Sequence, residues 1–206
     1  MRFLLFILFI GVGITGYAQK EVRKSISVKE ITFVQVDAEN VFEVVIDTHK
    51  ADQIIAEAFM EGEYQNELMI SLKEEGTTLW IGTEFRPSYA NPNDKLSAHK
   101  VLSVALHITL PEHMELNVQG KGTTMKLSGN YKELKAVTNS QWVFLKDITG
   151  AISVKTIDGD ILTENIKGKM VADSKYGTVN SSFVKDGHSY FELNSVNGDI
   201  YINKKE

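Results

Sequence analysis

Three aspartates, Asp158, Asp160 and Asp199, flank glycines in two similar corners, Ile157-Asp158-Gly159-Asp160-Ile161 and Val196-Asn197-Gly198-Asp199-Ile200. Carboxylates grouped like this, with Asn197 beside them, are the oxygen donors that a hard divalent cation takes. Their spacing argues against a shared site. Sequence order places Thr178 between Asp160 and Asp199 in one column, so the two carboxylates are expected two strand spacings, or ~10 Å, apart. The glycine-rich calcium repeat is absent, and aspartate beside glycine is ordinary corner chemistry. No metal and no cofactor is expected.

Glu43, Asp158 and Asp160 are acids from which a glycan hydrolase or lyase would draw a catalytic pair, and nothing singles one pair out. His49, His99, His107, His113 and His188 are scattered, without the ligand spacing of a zinc site. There is no Gly-x-Ser-x-Gly elbow and no dinucleotide fingerprint, and Gly120-Lys121-Gly122-Thr123-Thr124 lacks the first half of a phosphate loop. The chain is therefore read as non-enzymatic. Trp80, Trp142, Tyr176 and Tyr190 offer flat rings for stacking on sugars, or for covering a core. Of these, Trp142 and Tyr176 fall at a repeated corner and are the candidate ligand-binding residues.

That corner belongs to a repeat. Thr123, Gln141, Gly159, Gly177 and Gly198 are spaced 18, 18, 18 and 21 residues apart. Seven residues before these anchors stand Leu116, Leu134, Ile152, Met170 and Phe191, and five before stand Val118, Ala136, Val154, Ala172 and Leu193. Two after stand Met125, Val143, Ile161, Val179 and Ile200. Alternation around these positions marks half-buried strands. The three extra residues of the last spacing fall around Lys185-Asp186-Gly187-His188, as a corner insertion would. The predicted fold is all-β, a right-handed single-stranded β-helix (solenoid) with about 18 residues per rung, flanked by an N-terminal strand layer. Antiparallel hairpins are the competing architecture, because Asp-Gly and Asn-Gly also favour two-residue turns. Phe144, Leu162 and Tyr201, three after their anchors, would point outward and need a covering layer or a partner.

The N-terminal half carries strand-like runs without a clear period, Thr32–Val36, Val41–Ile46, Leu68–Leu72 and Thr78–Ile81. Gln53 to Glu61 suits a brief helix or a strand. Arg86 to Lys100, with two prolines, is a surface loop, and Pro111 ends the strand that precedes it. Met1-Arg2, the apolar run Phe3 to Ile14 and the small-residue exit to Ala18 read as a secretory signal peptide. The run is too short for a spanning helix. The expected organisation is thus a signal peptide over 1–18, an extension over 19–30 and one domain over 31–206. Within it, 31–114 is the irregular strand-rich part and 115–206 the regular repeats.

An acidic chain with a formal charge of −5 is not built for nucleic acid. Export without a single cysteine fits a bacterial envelope, with the protein in periplasm, on the cell surface or outside. No transmembrane segment is expected in the mature chain.

The chain resembles the adhesin-like β-strand repeat families of bacterial envelopes, among them the auto-transporter adhesin type with a head domain, a domain of unknown function common in Bacteroidetes. The resemblance rests on Phe33-Val34-Gln35-Val36 followed by Val41-Phe42-Glu43-Val44, on Leu106-His107-Ile108-Thr109-Leu110-Pro111, and on the two Gly-Asp corners. It implies a right-handed β-helix and no catalytic residues. Ala38-Glu39-Asn40-Val41 departs from it where the head type would have a glycine turn, and the chain ends at Lys204-Lys205-Glu206 directly after the last rung. The expected function is an exported binding or adhesin-like module whose partner is an envelope protein or glycan, with self-association through an open coil end. A carbohydrate-active enzyme on the same scaffold, or an envelope-stress structural or signalling module, are the alternatives.

Overall fold

The computed structural model describes residues 20–62, 66–88, 102–181 and 184–203. The expected signal peptide, most of the segment 86–100 expected as a surface loop, with His99, and 204–206 lie outside them. Fifteen strands form one sheet: β1 (Lys20–Ser27), β2 (Phe33–Asp37), β3 (Glu43–His49), β4 (Gln53–Gly62), β5 (Leu68–Glu75), β6 (Thr78–Phe85), β7 (Leu102–Pro111), β8 (Glu115–Gln119), β9 (Thr124–Thr138), β10 (Val143–Thr156), β11 (Ile161–Glu164), β12 (Lys167–Ser174), β13 (Val179–Ser181), β14 (Lys185–Ser195) and β15 (Ile200–Ile202). No helix occurs among the described residues, so the ambiguous segment Gln53 to Glu61 is strand.

The strands fall into two laterally paired ranks. One runs β1-β4-β7-β3-β9-β10-β11-β15-β13, and the other β5-β6-β2-β8-β9-β10-β14-β12. Strands β9 and β10 serve both ranks, each changing course at a glycine of positive φ, Gly129 (104°) and Gly150 (127°). Because alternate side chains of both ranks point to one side, a single apolar core lies between them.

From 115 to 164 the pairing is parallel and steps by the predicted period: Met125 pairs with Val143 and Val143 with Ile161, while Leu116 pairs with Leu134 and Leu134 with Ile152. The Asp-Gly and Asn-Gly corners therefore join strands of different ranks and are not hairpin turns. The hairpin β5–β6 turns instead at Gly76, where φ is 60°.

Three features differ from, or refine, the linear reading. Part of the N-terminal half continues the repeat, with Val34 opposite Leu116, Val36 opposite Val118, Val44 opposite Met125 and Ile46 opposite Leu127, while β1, β4 and β5 pair antiparallel beyond it. Its inward residues share the repeat's alternation, so β2 and β3 make an equivalent layer although the paired strands lie 82 residues apart, as the Asn117 to Gln35 hydrogen bond shows.

The second feature is an exchange of order at the other end. Strand β14 inserts between β10 and β12, and β15 between β11 and β13. The last segment supplies Phe191, Leu193, Ile200 and Ile202, all at most 4% exposed, whereas the segment it displaces supplies Met170, Ala172 and Val179. The more apolar set takes the interior position because burial stabilises in proportion to apolar area. Third, Lys185 pairs with Lys167 but Ser189 pairs with Gly168, so Asp186-Gly187-His188 bulges out where the insertion was expected.

Candidate functional site

On the outward side of the first rank, one row of side chains is set in register across successive strands. Glu57, His107, Val45, Lys126, Phe144, Leu162, Tyr201 and Asn180 are consecutive partners. Their neighbours in sequence, Val44, Met125, Val143, Leu145, Ile161 and Ile200, point into the core, so the strand period drives this row to the surface. No strand among those described covers it. Val45, Phe144 and Leu162, with the stems of Lys126 and Lys146, line an apolar groove of about 460 Å³.

Trp142 borders the groove, its ring tilted 51° against Phe144 at a centroid distance of 5.7 Å, and is 49% exposed. Ion pairs edge the strip: Lys126 Nζ to Glu43 Oε2 at 2.6 Å and Lys146 Nζ to Glu164 Oε1 at 2.7 Å. Exposed pairs of this kind contribute little stability. The stems of the same two lysines line the apolar floor. An apolar floor with aromatic and polar rims suits a ligand that is apolar on one face and hydroxylated or charged on its edges.

The aspartate corner is a hydrogen-bonded ladder. Asp199, not Thr178, is the neighbour of Asp160: the Asp199 N–H donates to Asp160 Oδ1 at 2.8 Å. The Thr178 N–H and hydroxyl donate in turn to Asp199 Oδ1 at 2.7 and 2.9 Å. The exchange of layers thus sets in adjacent layers two aspartates that sequence order separates. Asn197 Nδ2 donates to Asp158 Oδ1 at 2.6 Å.

The Thr178 amide, the Thr178 hydroxyl and the Tyr201 hydroxyl hold the Asp199 carboxyl below its ordinary range, and the same contact raises the Tyr201 phenol. Among the described residues no group of three or more His, Asp or Glu is arranged to hold a metal ion. Glu43, the other acid considered for catalysis, is engaged by Lys126.

Glycine is required at this corner by close approach. A Cβ on Gly159 would lie 1.9 Å from the Gln141 carbonyl oxygen, one on Gly198 2.2 Å from that of Gly159, and one on Gly177 2.4 Å from that of Gly198. A second column behind it is absent from the anchor pattern: Thr138, Thr156, Ser174 and Ser195, three residues before the anchors. Thr156 Oγ1 donates to the Gly159 carbonyl at 2.6 Å, Ser174 Oγ to that of Gly198 at 2.7 Å, and Thr138 Oγ1 to that of Thr123 at 3.1 Å. These hydroxyls satisfy carbonyls that the corner buries.

Tyr176 lies in the terminal layer, 70% exposed beneath Lys175 Nζ at 4.9 Å. Three strand spacings, roughly 14 Å, separate its layer from that of Trp142. Trp80, on the second rank, edges a more polar groove of about 440 Å³ with Asp37, Lys73 and Glu84. Among the described residues the histidines do not converge. His107 rests against Phe59 at 4.9 Å, His49 Nε2 meets the Gln53 carbonyl, His113 occupies a corner with φ 65°, and His188 sits in the bulge. Val45 and Lys126 complete the groove, yet β3 belongs to the part of the sequence without a visible period. Their signal was the match of Val44-x-Ile46 to Met125-x-Leu127.

No protein-family model matches the sequence, and no curated protein does. Among solved structures, the chain is similar to a candidate cell adhesion protein of Clostridium sporogenes, with 14% identity, a TM-score of 0.62, and coverage of 91% of this chain and 100% of that one. A candidate adhesin of Bacteroides fragilis aligns at 12% identity over 90% of this chain and 98% of its own, with a TM-score of 0.36. One of Parabacteroides merdae aligns at 11% over 90% and 95%, with a TM-score of 0.28. The first superposes closely enough to show a shared all-β fold.

Proposed function

We propose that the protein is an adhesin-like, non-enzymatic binding module exported to a bacterial cell envelope, and that the strip through Phe144 and Leu162, rimmed by Trp142, is its ligand-binding face. The fold is read as a coil of the right-handed β-helix type whose last two layers have changed places. The observation that carries the reading is the uncovered, in-register apolar strip on a rigid parallel face. Export rests on the leader pattern Phe3 to Ala18. The similar solved structure, named for cell adhesion, supports the same direction. Against a hydrolase stands the engagement of each candidate acid: Asp158 by Asn197, Asp160 by the backbone of Asp199, and Glu43 by Lys126.

The ligand is a glycan or an extended protein segment of the envelope. The test is a glycan array and an envelope pull-down with the chain from Gln19 onward, with and without calcium. Phe144→Ala and Trp142→Ala are each expected to reduce binding, by about tenfold for loss of one stacked ring. Binding indifferent to both substitutions removes the strip from the site. Glycan cleavage lost in Asp158→Asn or Asp160→Asn would make the protein an enzyme.

A further inference from the structure

The terminal layer leaves the core columns unfinished. Met170 and Ala172 are only partly buried, and Val179 is 42% exposed, although their equivalents Phe191, Leu193 and Ile200 are completely buried one layer in. Among the described residues β12 pairs only with β14, and β13 only with β15. The eight residues of β12 thus present a backbone edge, and such an edge is a template for another strand.

The outward side chains of β12 indicate which strand fits. Lys169, Val171 and Asp173 are exposed and alternate with the inward Gly168, Met170 and Ala172. If β12 pairs antiparallel with the β12 of a second molecule about Val171, that valine lies opposite itself. Lys169 then faces Asp173 twice, once on each side of the axis. Cross-strand pairs of opposite charge and of β-branched residues both favour such a register. In the next pair Lys167, the first residue of β12, faces Lys175, which lies past the end of the strand and turns over the Tyr176 ring.

We infer that the open β12 edge is a self-association surface, and that two copies join there in an antiparallel, two-fold pairing centred on Val171. The contact is isologous and closes on itself. At the opposite end of the stack Lys20 Nζ and Lys24 Nζ reach across to the carbonyls of Leu68 and Ile70, inward charges that disfavour a further strand there. Because β12 belongs to the second rank and the axis of an antiparallel strand pair is normal to that rank, the first ranks of both copies lie on the same side of the joined sheet. If the strip is the ligand face, the dimer is bivalent.

Sedimentation equilibrium on the chain from Gln19 is expected to show a dimer. Lys169→Glu sets two carboxylates opposite Asp173 and is expected to weaken the dimer about tenfold, as Asp173→Lys does by facing Lys169, since each change affects two symmetry-related pairs. The double exchange, Lys169→Glu with Asp173→Lys, restores dimerisation and so separates a lost contact from a lost fold. The chain has no cysteine, so Val171→Cys provides an independent reading. Mild oxidation is expected to yield a covalent dimer from it and none from Val137→Cys, an exposed control on another layer.

A wild-type monomer would overturn the inference. So would a dimer indifferent to both charge reversals, or one whose Val171→Cys variant stays reduced. Capture of an unrelated envelope strand by a monomeric wild type would assign the edge to a different partner and also defeat the proposal.

Discussion

At its amino-terminal end the stack finishes with reversed strands. Strands β4 and β5 run against β7 and β6, and β1 runs against β4 with Lys20 and Lys24 sharing a face with Val22 and Ile26. Both lysines donate across the end of the core, Lys24 Nζ to the Ile70 carbonyl at 2.7 Å and Lys20 Nζ to that of Leu68 at 3.0 Å. Burial lowers the pKa of the Lys20 ammonium, with the nearby Arg86 charge acting in the same direction. At the carboxy-terminal end no such inward charge stands among the described residues of β12, and Met170 and Ala172 run to the edge. A column of apolar side chains has to stop somewhere. The comparison shows two ways to stop it, with inward-pointing cations that repel a further strand and with an edge that accepts one.

The sharpest break between interior and end comes from truncating equivalent positions. Phe191→Ala, in the inserted layer, is expected to cost about 3–5 kcal/mol, because a buried phenyl ring leaves a cavity among well-packed neighbours. Met170→Ala, one layer out in the same column, is expected to cost ~1 kcal/mol or less, because water already reaches the site. Urea unfolding of the two variants, at concentrations below self-association, checks the contrast. Equal losses would mean that the terminal layer is as closed as the one beneath it.

Corners provide the next largest effect. Gly159→Ala drives a methyl group into the Gln141 carbonyl and is expected to destabilise by about 2–3 kcal/mol. Gly122→Ala has nothing nearer than 3.9 Å and an ordinary φ, and is expected to fall within ~0.5 kcal/mol of wild type. Thermal unfolding of the pair shows whether the corner column or the glycine content matters.

Lys24→Ala removes the charged donor from the Ile70 carbonyl and is expected to cost roughly 1–2 kcal/mol. It also opens the protected end. Light scattering is expected to report association beyond a dimer in this variant only, and an unchanged signal would mean that the lysines do not guard the end.

The smallest effect concerns the last layer alone. The Asp199 carboxyl has a folded-state pKa below its unfolded one, through the Thr178 amide first and then the Thr178 and Tyr201 hydroxyls. Its contribution is therefore complete above the unfolded carboxylate range and is lost as pH falls through the depressed folded value. Hydrogen exchange at the Thr178 amide is expected to quicken in Asp199→Asn at neutral pH, with little change in global stability. An amide equally protected in the variant would remove the ladder from the account of how β13 is held.

Much of this architecture was readable residue by residue. Strand period places Val143 and Ile161 inside and Phe144 and Leu162 outside, and an 18-residue step aligns them. The outward strip was legible for that reason, together with the need for something to cover it. The bulge at Asp186–His188 followed from the same arithmetic. Val45 and Lys126 were harder to join to the strip, because the layer of β2 and β3 is separated from its partner by intervening strands that interrupt the period. The contact of Asp160 with the Asp199 amide was not legible at all, since sequence order puts Thr178 between them.

Alternation of side chains is a local property: the pleat points each residue in or out whatever lies beside the strand. The sequence by itself therefore determined an all-β chain, its inward and outward sets and its glycine corners. The order of the layers was decided only in three dimensions. The layers from β8 to β15 all pair in parallel at the same spacing, so neighbours there are interchangeable as far as hydrogen bonding goes. The choice falls to the total apolar area removed from water, which seats Phe191 and Ile200 inside and leaves Met170 and Val179 at the end.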